Sequence, residues 1–130
     1  MTRVTLTPTL LSGDNAISNL TTLLTTGGNP NAVVPSAGAG NGVQFNNVAG
    51  LIQFGVSLGA TACTATVQVG MQGLPGLSPT TYPIVLPTSA IGVIAAFHSI
   101  VQQSGTKTIQ IDFSSNTGLV VALFQLPAVY

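Results

Sequence analysis

At 130 residues and 13.1 kDa the chain fits one domain with a core of its own, and its four charges, Arg3, Lys107, Asp14 and Asp112, sum to zero. That 3% charged fraction, against about 25% in an ordinary soluble protein, excludes strong nucleic-acid binding, which takes roughly six to ten cationic phosphate contacts, and a polybasic membrane anchor. An ordinary apolar share of 45%, a mean hydropathy of +0.58 and no net charge favour a subunit of an assembly over a free monomer.

Residues 3–9 alternate Val4 and Leu6 on one face with Thr5 and Thr7 on the other, the pattern of a strand. The same stretch is too polar for the apolar core of a signal peptide. Residues 14–24 place Ile17, Leu20, Leu23 and Leu24 at helical spacing, with Asp14 or Asn15 at the N-cap position and Gly27 beyond the end. Their threonines weaken that helix, so a short helix over 15–25 and an irregular loop both stay open. Residues 27–42 are Gly, Asn, Pro, Ser and Ala without an apolar period, which reads as a long flexible loop or arm within the domain.

Period two then takes over. In 51–58, Ile52, Phe54, Val56 and Leu58 alternate with Gln53, Gly55 and Ser57, and the runs 63–69 and 108–113 behave alike. These are half-buried strands of an antiparallel sheet. Turn signals at 58–61, 70–76, 104–106 and 114–118 fall at sandwich spacing. They imply about seven or eight strands in a jelly-roll or immunoglobulin-like β-sandwich, with 107–113 and 119–126 as a central hairpin. The longest apolar runs, 119–124 and 90–97, are far short of the roughly 20 residues of a membrane-spanning helix. A lone Cys63 leaves no intrachain disulfide, which fits synthesis in a reducing cytosol.

Chemistry is scarce. Cys63, His98 and Asp112 are the only candidates for a nucleophile, base and orienting group. Cys63 heads the apolar face of its strand, where a free thiol acts as a small buried hydrophobe, and His98 between Phe97 and Ser99 reads as a surface or interface imidazole. The chain is therefore read as a non-enzyme, with no cofactor, and the scattered ligand-type side chains do not space as a metal site. The glycines of Ser36-Ala37-Gly38-Ala39-Gly40-Asn41-Gly42 lack the Lys-Ser/Thr of a phosphate loop. Asn19-Leu20-Thr21 is a glycosylation sequon without a secretory signal. A sugar site would lack Trp and Glu, with Tyr82 and Tyr130 the only tyrosines.

The run Leu119-Val120-Val121-Ala122-Leu123-Phe124 is apolar on both faces. A strand buried on both sides needs a second covering layer, supplied either by a partner subunit, the favoured reading, or by residues 27–42 folding over it. On that reading the interface residues are Arg3, Val4, Leu6, Val120, Ala122, Phe124, Leu126 and Tyr130.

The opening Thr2-Arg3-Val4-Thr5-Leu6-Thr7-Pro8-Thr9 and three later pieces resemble small virion proteins of tailed bacteriophages, the head decoration or minor capsid proteins. Those pieces are Phe97-His98-Ser99-Ile100, Gly105-Thr106-Lys107-Thr108-Ile109-Gln110-Ile111-Asp112, and Thr117-Gly118 before residues 120–127. Ala95-Ala96-Phe97 stands where that family often has Gly-Pro-Phe, and the similarity covers about half of the chain. The resemblance implies a β-sandwich on the outer surface of a capsid, clustered at symmetry axes, often as a homotrimer, with the major capsid protein as partner and the virion as location. The alternative is a binding module on a phage tail or fibre that recognises a host-surface glycan.

Overall fold

The computed structural model describes residues 3–11, 19–46, 52–68, 81–94 and 108–125. Among them are β1 (Val4–Thr5), β2 (Pro8–Leu10), α1 (Leu20–Leu23), β3 (Val43–Asn46), β4 (Ile52–Leu58), β5 (Cys63–Gln68), β6 (Thr81–Leu86), β7 (Ala90–Ile94), β8 (Thr108–Phe113) and β9 (Val120–Gln125). The strands form a five-stranded sheet, β1-β3-β8-β5-β6, and a four-stranded sheet, β2-β9-β4-β7. The chain is all-β and sandwich-like, as its alternation predicts. The sheets are mixed, however, because β1 runs parallel to β3 and β2 parallel to β9, while the other pairs are antiparallel.

Alternation selects the inward side chains. Cys63, Ala65 and Val67 of β5, Ile109, Ile111 and Phe113 of β8, and Val43 and Phe45 of β3 meet Phe54, Val56 and Leu58 of β4 and Val121 and Leu123 of β9 in one core. Phe54 stacks on Phe45 at 5.6 Å and on Phe113 at 6.3 Å between ring centroids. One ring of the four-stranded sheet thus bridges two of the five-stranded sheet, a contact worth about 0.5–1.5 kcal/mol per pair beyond area burial.

Two sequence expectations are corrected here. The segments 107–113 and 119–126 are not a hairpin: β8 pairs with β3 and β5, whereas β9 pairs with β2 and β4. Each is interior to its own sheet, and the connection between them arches from one layer to the other. The β4–β5 connection arches beside it, tied by Gly59 N–H to Gly118 C=O at 3.0 Å. Gly118 has φ 68°, and a Cβ there would crowd Gly59. Residues 3–9 are likewise not one strand. Leu6 turns into the core between β1 and β2, so β1 edges one sheet, β2 edges the other, and Val4 is left 45% exposed.

The doubly apolar strand is buried on both faces, as predicted, but its cover is the chain itself. Ala122 and Phe124 pack against Leu24 and Ala32, with Leu11, Leu20, Leu23 and Val120 around them. This overturns the assignment of Ala122 and Phe124 to a subunit interface, and Leu6 is core for the reason just given. Val120 is half-buried in the same cluster, while Leu126 and Tyr130 lie outside the described residues. The helix is one turn, capped by the Asn19 side chain, which accepts from Thr21 N–H at 3.0 Å. The proposed caps Asp14 and Asn15 also lie outside the described residues.

Residues 27–42 are not a free arm. Asn29 is buried and donates to Leu23 C=O at 2.9 Å and to Thr9 Oγ1 at 3.2 Å. Val33 and Val121 exchange two backbone hydrogen bonds of 2.9 Å, extending the flank of β9 that β2 begins, and Pro35 is buried.

Phe124 and Gly55 form a second packing constraint. Gly55 sits opposite Ala122, and the Phe124 ring lies where a Gly55 Cβ would be. Gly55→Ala is therefore expected to cost about 1–3 kcal/mol. Ala122→Gln, which puts an amide into the dry cluster, is expected to cost about 3 kcal/mol. Gly92→Ala, whose Cβ meets nothing within 4 Å, should be neutral or mildly stabilising. Urea unfolding of the three variants measures the contrast.

Candidate functional site

The one ion pair among the described residues lies on the outer face of the five-stranded sheet. Alternation along β8 sends Ile109, Ile111 and Phe113 inward, so Asp112, in register with Thr66 of β5, points outward. It is nevertheless buried, because Arg3 and residues 38–42 close over it. Its Oδ1 accepts from Arg3 Nε at 2.8 Å and Gly42 N–H at 3.1 Å. Oδ2 accepts from Arg3 Nη2 at 2.7 Å, Gly40 N–H at 3.0 Å and Gln68 Nε2 at 3.2 Å. A carboxylate offers about four lone-pair sites, so these donors saturate it.

The glycines explain how backbone reaches the carboxylate. Gly38 and Gly40 have φ of 101° and 81°, the left-handed region that other residues enter at a cost. A Cβ on Gly42 would collide with the Ile111 carbonyl. The glycine run that lacks the features of a phosphate loop thus cradles an internal anion instead, by backbone N–H groups turned to one point. Burial pushes the Asp112 pKa up, but the Arg3 hydrogen bonds, the Gly40 and Gly42 N–H groups and the Arg3 charge outweigh it, and the net displacement is downward.

Around this clip the outer face is neutral and hydrogen-bonding. Thr5, Gln44 and Gln110 lie in one cross-strand row, with Gln44 donating to Thr5 Oγ1 at 3.1 Å and Gln110 donating to Gln44 Oε1 at 3.4 Å. Beside Asp112 a cleft of about 340 Å³ is lined by Gly38, Ala39, Thr66, Gln68, Thr81 and Ser114, among others. At the opposite side of the sandwich, β6 and β7 leave an apolar groove of about 230 Å³ between Ile84, Leu86, Val56 and Leu58. Its cause is residue size: Ala90 and Gly92 of β7 face inward opposite Leu58 and Val56 and are too small to close it. Val85 (80% exposed), Ile91 and Val93 lie on the exposed surface of the same two strands.

Sequence reasoning missed β3, β6 and β7, and with them the groove. The apolar run beginning at Ala90 and the turn Pro87-Thr88-Ser89 were the available signals, but Pro83 in Thr81-Tyr82-Pro83-Ile84 hides the alternation of β6. The Arg3–Asp112 pairing had only the charge count to suggest it.

The Cys63, His98 and Asp112 set is not brought together within the described residues. Cys63 points into the core, where its Sγ donates to Ser115 C=O at 3.3 Å, whereas Asp112 sits on the other face of the same sheet. His98 lies outside the described residues. Among the described residues no three His, Cys, Asp or Glu side chains cluster as metal ligands, and no helix is long and apolar enough to cross a membrane. No family model, curated protein or solved structure matches the chain.

The clip sets an acid limit on stability. With its folded-state pKa lowered, Asp112 contributes fully above the unfolded-chain value of about 3.9, and that contribution disappears as pH falls from there through the folded-state value. Thermal midpoints should therefore be flat from pH 8 to 5 and drop below pH 4. Asp112→Asn should lose about 3 kcal/mol at pH 7 by leaving Arg3 unpaired, and the acid drop should be smaller in that variant. An equal drop in both proteins would refute this account.

Proposed function

We propose that this chain is a virion structural protein: a capsid decoration or cement protein that binds the outer surface of a phage head and stabilises it. Its partners are the major capsid protein and further copies of itself, most simply as a homotrimer, and its place is the virion surface after synthesis in the host cytoplasm. The observation that carries the reading is the distribution of charge and apolar surface. The ion pair among the described residues is spent internally, while the outer face of one sheet is a neutral Thr/Gln surface and β6 and β7 carry exposed Val85, Ile91 and Val93. Such surfaces adhere through apolar and neutral hydrogen-bonding contacts with few charges to desolvate. The sandwich-like architecture agrees with what the resemblance to decoration proteins implies.

A tail or fibre module that binds a host glycan is the second reading. What favours it is the polar cleft that Asp112 helps to line, where the Thr66 and Thr81 hydroxyls and the Gln68 amide offer the groups a sugar needs. Counting the protein on purified particles separates the two: many symmetric copies per head mean decoration, a few at the tail mean adhesion.

If attachment rests on neutral contacts, it should be insensitive to salt, because there are few exposed ion pairs to screen. Particles moved from low salt to 1 M NaCl should keep the protein, as read by sedimentation and gel densitometry. Release at high salt would contradict the reading.

A further inference from the structure

Residues 3–11 form a strap across one side of the sandwich, and its backbone pairings are all with sheet edges. β1 lies parallel on β3 and β2 parallel on β9, the only parallel pairings among the described strands. Its backbone is fixed by Val4 N–H to Gly42 C=O at 3.0 Å, Leu6 N–H to Gln44 C=O at 2.9 Å and Leu11 N–H to Gln125 C=O at 2.9 Å. Four side chains anchor it as well: Leu6 enters the core, Arg3 grips Asp112, Thr9 hydrogen-bonds Asn29, and Leu11 packs against the cluster over β9. The outward side chains Val4 and Leu10 are 45% and 67% exposed.

The socket under the strap is demanding. Without Arg3 it holds a buried carboxylate with no cation, without Leu6 a hole in the core, and without β1 and β2 two bare sheet edges that bear no charge to keep other strands away. Some strap must fill it. Nothing in the contacts requires that strap to come from the same chain, since a second copy's Arg3, Leu6 and strand backbone would satisfy each group in the same way. The seven residues between Leu11 and Asn19 can reach up to about 28 Å when extended, close to the roughly 30 Å diameter of a small domain. Zero net charge removes the repulsion that keeps ordinary copies apart.

We propose that residues 3–11 are an exchangeable strap, and that the socket formed by Asp112, Gly40, Gly42, the Leu6 slot and the free edges of β3 and β9 is a docking surface for the same strap of a second copy. This is reciprocal strand exchange, a low-cost route to oligomers, with Arg3 on Asp112 as its register pin. It stands whether or not the assembled protein binds a capsid.

Cross-linking on the full chain tests it. Thr5 and Gln44 are register partners with touching side chains, so cysteines at the two positions fall within disulfide reach. Two chains of different mass tag, both Cys63→Ala, carry Thr5→Cys and Gln44→Cys separately and are mixed with oxidised glutathione. The expected result is a mixed disulfide forming much faster than in a collision control that pairs Thr5→Cys with Val85→Cys. Loosening the pin by Arg3→Gln, or by Asp112→Asn where that variant folds, should accelerate exchange by about tenfold or more, as loss of charge-assisted hydrogen bonds implies. A mixed disulfide no faster than the control, while a chain bearing both cysteines closes on itself, overturns the proposal. So does a rate that Arg3→Gln leaves unchanged.

Discussion

A single carboxylate organises one whole side of this protein. In a chain with four charges, burying Asp112 on the outer face of a sheet is tolerable only because Arg3 and the N–H groups of Gly40 and Gly42 converge on it. Meeting that demand fixes three otherwise unrelated segments. It sets where residues 3–5 lie along β3, how 38–42 must turn, and hence why three glycines stand in that turn. Gln68 adds a donor from β5, so the clip also ties the edge strand β1 to the middle of its sheet.

The two sides of the sandwich are closed by different means. On one, the chain crosses between the sheets at Leu6 and the crossing residue fills the gap. On the other, β6 and β7 also follow each other across the sheets, but the inward residues of β7 are Ala90 and Gly92, and a groove remains. The same topological step thus gives a sealed side or an open one according to a few methylene groups. That asymmetry leaves the apolar groove at the β6–β7 side of the sandwich, across from the side that residues 3–11 close.

The cover over β9 has a similar lesson. Both faces of β9 exclude water over residues 121–124, and the outer one is covered by the α1 turn, Leu24, Ala32 and Leu11, with the buried Asn29 tying that segment down. A short polar-looking stretch does this because Asn29 donates to the Leu23 carbonyl at the end of α1 and to the Thr9 hydroxyl together. The polar residues there tie the segment down and the few apolar ones, Leu20, Leu23 and Leu24, do the covering.

The sequence by itself determined the class of structure and the inward face of most strands, because alternation with period two records which side chains avoid water whatever the strand's neighbours. It also determined that residues 119–124 are buried on both sides and that charge plays almost no part in the surface. Only the tertiary structure decided which strands share a sheet. Residues 108–113 and 120–125 have the alternation of a hairpin and the turn to make one, yet they face each other across the core, since inward burial is the same for two strands side by side and two strands in opposite layers. The tertiary structure likewise decided that the chain covers its own β9 and that Arg3 meets Asp112 across 109 positions. Local pattern carries no record of which distant group will satisfy a buried strand or a buried charge; that is settled only when the layers close.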